Sequence, residues 1–419
     1  MTRPLREARS AAFAGSYIVK RCLACLSLCA VLQGLPAGPA AADEYDPVNV
    51  LLGGSVVHDA NVFRLPGFVD PQLVVGKSTK SDLIGVLYAG LLIDQPYRQQ
   101  RFQLSLTESR YRYQNFSFLD FDALDYRGAW LWHLSPRVSG TLSADHKEAL
   151  VPFADFRVFQ RNVRATDNRV FNLDAWVFGG WHLLLGASQY EQKNEQPFLA
   201  EADYRLAGID AGIRYVARSG NSASLIRRAR EGDYLNRIID PATLFDNAFR
   251  QDDTELRAIW AVTGKSALNG RLTWLERRHE NFPQRDFSGT AGELAYVWTP
   301  TGKLRLDFSA RRDIRAWWEP FASYRVDDTL AFTPSWAVAS KTTVHARLER
   351  TASDFRGPVF APPGPLRSDT VRSAQLSADW APLRSVSLSA SLQRLDRSSN
   401  NPGVEFTTTI ATISASLKF

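Results

Sequence analysis

The last eleven residues of the chain decide its fold class, and they read Thr409-Ile-Ala-Thr-Ile-Ser-Ala-Ser-Leu-Lys-Phe419. Small and apolar side chains occupy every second position from Ala411 to Phe419, and polar side chains lie between them from Thr412 to Lys418. Successive side chains of a β-strand point to opposite faces, so this period of two is typical of a strand. The stretch therefore predicts a final strand with one apolar and one polar face, which ends in an outward-facing phenylalanine.

The same alternation recurs further upstream, in the segments 255–262, 303–311, 344–349, 373–380 and 386–393. A single strand of this kind would fit a soluble sandwich, whose core is formed by the apolar faces. Many strands of roughly ten residues are instead typical of a membrane barrel. In such a barrel the apolar faces contact lipid and the polar faces line a wet lumen.

Short and long connections alternate between the predicted strands. Short turns, most of them with Pro or Gly, are predicted at 94–100, 134–136, 179–180, 218–221, 263–265, 299–302, 333–336 and 381–384. Longer polar segments are predicted at 60–79, 115–122, 151–166, 193–200, 232–250, 279–288, 314–321, 354–368 and 397–405. This order predicts an all-β fold, a transmembrane antiparallel up-and-down β-barrel of about 18 strands (about 16–18), with short periplasmic turns and longer extracellular loops.

Such a barrel must close on itself, because lipid offers no partner for the backbone groups of an open sheet edge. About 18 strands enclose a lumen too wide for side chains alone to fill. The lumen is therefore expected to hold water, a plug or inward-folded loops.

Aromatic residues mark the ends of several predicted strands. Four of them come shortly before a turn proline, and these are Trp132, Trp298, Phe332 and Trp380. Trp181 follows the turn at 179–180 directly. Tryptophan favours the boundary between lipid and water, so the four tryptophans are predicted membrane-interface residues. Phe419, at the end of the last strand, resembles the signal that outer-membrane barrels present to the barrel-assembly machinery.

The N-terminal region predicts a cleaved secretory signal in residues 1–42. Lys20 and Arg21 precede an apolar run from Cys22 to Leu35, and small residues at Ala40–Ala42 provide the cleavage site. The apolar run has about 14 residues, fewer than the roughly 20 that a membrane-spanning helix needs. The mature chain is then one barrel domain, residues 43–419, located in the outer membrane of a Gram-negative cell.

Composition and charge exclude several other classes of protein. The chain has 419 residues, of which 45% are hydrophobic and 22% charged, and this excludes a disordered chain. All three cysteines lie within the first 29 residues, which excludes a disulfide scaffold. The formal net charge is +6, but without residues 1–42 it falls to +2, so charge gives no argument for nucleic-acid binding.

Alternation places a set of charged and aromatic side chains on the lumen face, where they are candidate substrate contacts. They are Arg214, Arg228, Arg257, Arg271, Arg305, Arg311, Arg347, Glu255, Glu349, Tyr111 and Tyr113, accompanied by Arg230, Arg277, Lys303 and Asp307. This set predicts a basic-leaning lumen with interspersed acids that suits an anionic or hydroxyl-rich polymer, because guanidinium groups bind carboxylates and hydroxyls. Two alternatives remain open here, since Arg–Glu ladders also brace a barrel wall and the tyrosines also fill space.

No catalytic, cofactor-binding or metal-binding residues are predicted. The sequence has no His-Glu-x-x-His motif, no Gly-x-Ser-x-Gly elbow and no phosphate-binding glycine loop. Asp59 near Asn61 is interpreted as a cap at the start of a loop rather than a calcium site. The pairs Asp252-Asp253 and Asp327-Asp328 are interpreted as solvated loop and rim charges.

The first half of the chain resembles a known family. The resemblance rests on the residues Asp59-x-Asn61-x-Phe63-Arg64-Leu65, Lys80-Ser81-Asp82, Gln100-Arg101, Leu124-Asp125-Tyr126 and Ala129-Trp130-x-Trp132. They resemble the EpsL family of outer-membrane barrels from exopolysaccharide biosynthesis operons, often found alongside an exosortase system. Beyond about residue 220, only the barrel pattern is shared.

The resemblance implies a role in exopolysaccharide assembly or export, with the polymer and its synthesis and export proteins as partners besides outer-membrane lipid. It carries no catalytic residue over to this chain. Three functions remain open at this point: a polysaccharide pore, a general or substrate-selective porin for small solutes, and, ranked last, a barrel enzyme.

Overall fold

Eighteen strands dominate the computed structural model, which describes residues 46–155 and 158–419. The strands are β1 (Val48–Asp59), β2 (Asp82–Tyr97), β3 (Gln100–Tyr113), β4 (Phe121–Ser135), β5 (Val138–Leu150), β6 (Val163–Phe178), β7 (Trp181–Asn194), β8 (Tyr204–Val216), β9 (Ser222–Tyr234), β10 (Ala248–Thr263), β11 (Ser266–His279), β12 (Phe287–Thr301), β13 (Leu304–Glu319), β14 (Ala322–Ala339), β15 (Thr342–Arg356), β16 (Ser368–Leu383), β17 (Val386–Ser399) and β18 (Phe406–Lys418). The α-helix α1 (Pro71–Val75) and three 3₁₀ helices, at Ser117–Leu119, Pro197–Ala202 and Pro283–Arg285, lie between strands.

The strands form one closed antiparallel sheet, as predicted. Each strand pairs with its neighbours along the chain, and β1 pairs with both β2 and β18. Phe419 extends the closing ladder by one step. Its N–H donates to Val50 O at 2.9 Å, and Val50 N–H donates to Phe419 O at 2.8 Å. No sheet edge is therefore left where the first and last strands meet.

The outer face of the barrel is apolar. Leu87, Ile209 and Ile413 lie on three separate strands and are 69–70% exposed, and dozens of other large apolar side chains share this face. A water-soluble protein rarely exposes so much contiguous apolar surface. A lipid-facing barrel wall requires it. In the described residues, no helix is long and apolar enough to cross a bilayer.

Short turns lie at one end of the barrel, the turn end, and the longer connections lie at the other, the loop end, together with the two-residue turn 320–321. Five outward tryptophans stand four residues before a short turn, and they are Trp132, Trp260, Trp298, Trp336 and Trp380. Trp181 follows the turn at 179–180. Together these six side chains form the tryptophan girdle of the turn end. Sequence reasoning missed Trp260 and Trp336, and it wrongly placed Phe332 at this level.

Trp132 differs from the rest of the girdle because only 6% of it is exposed. Its indole covers Gly140 on the neighbouring strand and stacks on Phe171, with the ring centroids 6.0 Å apart. A Cβ atom at Gly140 would lie 2.4 Å from Trp132 Cζ2, so only glycine leaves room for the ring. The sequence prediction of an exposed interface residue is therefore only partly right for Trp132.

Two predicted connections were wrong. The turn expected at 333–336 is strand, and β14 continues to Ala339. Pro334 stays in register with Leu306 of β13, and on the β15 side the ladder is interrupted between Phe332↔Leu348 and Ser335↔His345, where a proline has no N–H to donate. The long loop expected at 314–321 is also mostly strand, and only residues 320–321 separate β13 from β14.

The two aspartate pairs also lie in strands rather than in loops. Asp253 and Asp327 point inward and are buried, whereas Asp252 and Asp328 point outward and are partly exposed. Alternation within a strand separates the two members of each pair. The predicted signal peptide, residues 1–42, lies outside the described residues.

Candidate binding surface of the barrel lumen

The predicted lumen residues lie on the inner face of the barrel strands, except Lys303, which lies in the short turn between β12 and β13. Cross-strand register links several of them into one row, in which Arg257 faces Arg271, Arg271 faces Glu293, and Glu293 faces Arg311. The row therefore runs around the wall from β10 to β13. Directly opposed like charges such as Arg257 and Arg271 repel each other, so acidic neighbours are needed to stabilise the row.

Glu255 provides this neighbour on β10. Arg228 donates to both of its carboxylate oxygens, with Nη1–Oε2 at 2.8 Å and Nη2–Oε1 at 3.2 Å. Arg257 donates to the same carboxylate, with Nη2–Oε1 at 2.7 Å. One carboxylate thus holds two guanidinium groups from adjacent strands, a geometry that strengthens charge-assisted hydrogen bonds.

A second chain of bonds lies nearer the loop end. Arg230 pairs with Asp253 at 3.1 Å, and Gln251 Nε2 donates to Asp253 Oδ1 at 3.0 Å. Gln251 Oε1 in turn accepts from Arg277 Nη2 at 2.7 Å. The Arg277 guanidinium lies 3.9 Å from the centroid of the Phe249 ring, a cation–π contact. Arg277 is therefore part of the wall rather than a free lumen contact.

Exposure differs between the two members of these pairs. The side chain of Glu255 is 2% exposed, whereas those of its partners Arg228 and Arg257 are 19% and 47% exposed. Asp253 and Arg230 repeat the pattern, with 3% and 25%. These two acids lie against the wall and the guanidinium groups cover them, so a solute at this part of the lumen meets mainly hydrogen-bond donors.

Further arginine–acid pairs follow along the wall from β11 to β15, but their acids are 24–40% exposed and not buried. They are Arg271–Glu293 (3.4 Å), Arg305–Asp307 (2.9 Å), Arg311–Asp313 (3.0 Å) and Arg347–Glu349. The sequence prediction of a basic-leaning lumen with interspersed acids is incomplete, because it left out several inward acids. They include Asp174, Asp210, Asp253, Glu293, Asp313 and Asp327. Extending the alternation to β6 and β8 would have found the first two.

A cavity of about 580 Å³ lies in the lumen against β4–β10. Its polar lining includes His133, Asn172, Asp174, Asp210, Arg214, Arg228 and Arg257. Arg214 pairs with Asp174, which also contacts His182, with Nδ1–Oδ1 at 2.7 Å. The Nε of Arg214 is buried without a hydrogen-bond partner, and Arg214 therefore retains an unused donor. We call this cavity the lumen chamber.

A loop crosses the lumen on the loop side of the chamber. Asp155, in the connection between β5 and β6, pairs with Arg325 of β14 at 3.3 Å and with Arg397 of β17 at 3.1 Å. The carbonyl of Ala154 also accepts from Arg397 Nη1, at 2.7 Å. Since β14 lies on the opposite side of the sheet from β5, the connection must span the interior. Inward-folded loops therefore narrow the lumen.

An apolar cluster supports this arrangement at the loop end. Its buried members come from three connections and are Val62, Phe63, Leu65, Phe116, Leu119 and Phe153. Phe63 is central, with ring centroids 4.8 Å from Phe116 and 4.7 Å from Phe153. We call this group the mouth cluster. Tyr113 packs against it, and Tyr111 stacks on Phe121 at 4.3 Å, so both tyrosines fill space as the alternative prediction had it.

The residues behind the family resemblance hold this mouth cluster in place. Asp59 Oδ1 accepts from the N–H of Asn61 at 2.9 Å, which is the predicted loop-start cap. The same oxygen accepts from Thr408 Oγ1 at 2.8 Å. Asp82 accepts from the backbone N–H groups of Asn115 (2.9 Å) and Phe116 (3.0 Å). In this chain these residues are thus architectural, because they fix the folded loops.

The hairpin of β13 and β14 also bends inward. Its ladder with β12 stops at Gly292↔Arg312, and beyond this point Ile314 packs over Gly289. A Cβ atom at Gly289 would lie 2.5 Å from Ile314 Cδ1, so glycine is required for this approach. At the hairpin tip, Trp318 meets Tyr234 of β9 with the ring centroids 4.9 Å apart. The tip therefore covers the inner wall of β9–β11.

Asp246 anchors the loops beside this hairpin. It accepts from the N–H of Asn281 at 2.6 Å and from the Asn281 side chain at 2.8 Å. Burial alone would raise the pKa of Asp246, but the hydrogen bonds from Asn281 and nearby backbone amides outweigh it and lower the pKa below its ordinary value. These contacts persist at neutral pH and weaken only as the pH falls through that lowered pKa.

No family model and no curated protein sequence matches the chain. Solved structures of similar fold include OccK9 (OpdG) from Pseudomonas aeruginosa, with 14% identity, 89% of this chain and 98% of that chain covered, and a TM-score of 0.50. OccK2 (OpdF) from P. aeruginosa, in complex with glucuronate, has 12% identity, coverage of 89% and 98%, and a TM-score of 0.50. P. aeruginosa OpdK with vanillate has 9% identity, coverage of 89% and 99%, and a TM-score of 0.50.

At these identities the likeness concerns the fold alone. Together with the closed sheet and the apolar outer face, it identifies the chain as an outer-membrane β-barrel. Among the described residues, no group of three or more His, Cys, Asp or Glu side chains is arranged to hold a metal ion.

Proposed function

We propose that the chain is a non-catalytic, substrate-selective porin for small anionic solutes rich in hydroxyl groups. The supporting observation is the arrangement of Arg228 and Arg257 over the buried carboxylate of Glu255. A guanidinium held in this way directs N–H donors at the lumen, and the carboxylate of Glu255 on its wall side balances its charge. Fixed charges lining a pore determine which ions pass.

The size of the lumen chamber supports a small solute. Its volume of about 580 Å³ lies within the range of small-molecule sites, about 300–1,000 Å³. The loop carrying Asp155 crosses the lumen above it, and an extended polymer would have to displace that loop. A sugar acid fits both the size of the chamber and its donors, because a carboxylate can accept two parallel bonds from one guanidinium.

The ligands in two structures of similar fold agree with this class of solute. Glucuronate is bound to OccK2, and vanillate is bound to OpdK, and both ligands carry a carboxylate. They make sugar acids a reasonable first choice of probe.

Single-channel recording in planar bilayers tests the proposal. We expect glucuronate to interrupt the potassium chloride current at concentrations at which glucose has no effect. The double variant Arg228→Gln/Arg257→Gln should lose this discrimination, because it removes the donors that face the chamber. The control Arg227→Gln/Arg250→Gln changes two outward arginines and should behave as wild type. Equal effects of glucuronate and glucose on the wild type would overturn the proposal.

Exopolysaccharide export remains a second proposal, supported by the family-like residues that hold the mouth cluster. It requires the Asp155 loop to move, because that loop crosses the lumen. Addition of polysaccharide to the same recordings tests it, and an unchanged current in the wild type and in Asp155→Asn would count against it. Contacts with the barrel-assembly machinery and with polymer synthesis proteins remain predictions.

A further inference from the structure

Three arginines form a cluster on the outer wall, near the loop end of β15–β17. Arg350 of β15 and Arg372 of β16 are direct register partners. Arg394 of β17 faces Ala374 and is therefore diagonal to Arg372. All three side chains are exposed on the lipid-facing side. Like charges placed directly opposite each other in a sheet are destabilising, so this arrangement needs an anion.

The chain itself provides no such anion among its described residues. No carboxylate there lies within 4.0 Å of the guanidinium groups of Arg350, Arg372 or Arg394. Asp396 is the register partner of Arg372, but it makes no ion pair with it and accepts from Thr407 Oγ1 at 2.8 Å. Other outward arginines differ, because five of them have acidic partners: Arg205–Glu191, Arg227–Asp252, Arg250–Glu231, Arg278–Glu276 and Arg312–Asp328.

An apolar groove of about 980 Å³ runs down the outer wall directly below the arginine cluster. Its sides are formed by the outward side chains of β12–β16. They include Leu294, Phe308, Leu330, Phe332 and Leu348, and the small residue Ala374 contributes to its floor. The same groove is lined at its upper end by Arg350, Arg372 and Arg394, and also by the single carboxylate of Asp396, so three cations face one acid there. One continuous site thus joins an apolar channel to an unbalanced cationic end.

The position of the arginines along the barrel fits a lipid headgroup. Arg372 lies eight residues above Trp380 of the girdle on the same strand. At about 3.3 Å per residue and a tilt near 40°, this corresponds to about 20 Å along the barrel axis. The apolar band of such barrels is about 25 Å tall, so the cluster lies at its loop-side boundary.

We propose that this groove binds a lipid with a phosphate-bearing headgroup from the leaflet at the loop end. The phosphates pair with Arg350, Arg372 and Arg394, and an acyl chain lies in the groove below them. Arginine suits this role because its fork donates two parallel bonds to phosphate oxygens. The proposal goes beyond the porin function, since the groove faces lipid and not the lumen.

The test uses the full barrel in a neutral detergent, with lipid A carrying two phosphates as the probe and native mass spectrometry as the readout. We expect the wild type to retain this lipid. The variant Arg350→Gln/Arg372→Gln/Arg394→Gln should bind it at least about tenfold more weakly. The control Arg227→Gln/Arg250→Gln/Arg278→Gln removes the same number of outward charges on β9–β11 and should bind as the wild type does. Heat-modifiable gel mobility confirms that each variant is folded.

A second variant separates a lipid from a free anion. Ala374→Trp fills the groove without removing a charge, and we expect it to weaken lipid binding. In a separate experiment on the wild type, we expect that excess inorganic phosphate does not displace the lipid. Equal retention by the two triple variants would overturn the proposal, as would equal retention of dephosphorylated lipid A. Displacement of the lipid by inorganic phosphate, combined with normal binding by Ala374→Trp, would also overturn it in favour of an anion site.

Discussion

Arginines occur on both faces of this barrel, and the arginines around Glu255 and those of the outer cluster differ in whether they have an acidic partner. On the inner wall, Arg228 and Arg257 share the buried carboxylate of Glu255. On the outer wall, Arg350 and Arg372 oppose each other with no carboxylate between them. The inner pairs are complete within the chain, whereas the outer cluster is incomplete without an external anion. The presence of an acidic partner thus distinguishes arginines that stabilise the barrel wall from arginines that are proposed to bind a ligand.

The difference also explains why charge count alone is a poor guide to selectivity. On β9 and β10 each inner acid is paired with arginine, yet the exposed surface there is rich in donors because Glu255 and Asp253 are buried beneath the guanidinium groups. A buried acid of this kind is structural first, since removing one partner of a buried ion pair leaves the other charge uncompensated. Its effect on solutes is indirect, because it holds the guanidinium groups in place.

The largest expected effect comes from removing the shared inner acid. Glu255→Gln should lower the free energy of unfolding by about 3 kcal/mol, because the carboxylate is buried and both Arg228 and Arg257 lose their shared counter-charge. Denaturant unfolding in lipid vesicles measures it. The matched control Glu349→Gln affects a more exposed pair with Arg347 and should cost less than about 1 kcal/mol. Equal losses for the two variants would show that burial does not distinguish them.

A smaller effect is expected where the inner arginines hold the crossing loop. Asp155→Asn should weaken the contacts to Arg325 and Arg397 and release the loop from the far wall. Single-channel conductance should then rise, by about twofold if the loop leaves the lumen axis. Asp252→Asn, which changes an outward acid, serves as the control and should leave conductance unchanged. If Asp155→Asn conducts as the wild type does, the loop does not limit the pore.

The smallest effect is expected from supplying the outer cluster with an acid. Arg350→Glu places a carboxylate opposite Arg372 and should raise the free energy of unfolding in detergent by about 0.5 kcal/mol. It should also reduce binding of phosphorylated lipid A more than Arg350→Gln does, because it both removes a cation and occupies Arg372. A destabilised Arg350→Glu variant would mean that the opposed arginines do not repel each other in the folded barrel.

Much of the barrel was predictable because the alternation of apolar and polar residues along a strand is a local property of the sequence. The closing strand from Thr409 to Phe419 and the girdle positions of Trp298 and Trp380 follow from the sequence pattern. Pro334 misled the turn prediction, since the tolerance of a strand for proline depends on which neighbour it would bond. The crossing contact of Asp155 with Arg325 joins residues 170 positions apart, and no local pattern carries that information.

The candidate site was predictable only in part for the same reason. Alternation placed Arg228, Glu255 and Arg257 on one face, but it does not reveal which of them is buried. Burial depends on the curvature of the wall and on the loops that fold over it. The outer cluster of Arg350, Arg372 and Arg394 depends on the register between strands, which the sequence alone leaves undetermined.

The inward bend of the β13–β14 hairpin has a consequence for how the wall opens. On the loop side of the pair Gly292↔Arg312, β12 is no longer paired with β13 in the ladder. Backbone amides without a neighbouring strand exchange hydrogen with solvent before any ladder has to separate. This unpaired edge of β12 is therefore a region of low local stability. Local opening of the wall at the loop end needs less free energy at this edge than along the continuous ladders of β15–β17, where hydrogen bonds between strands must break first.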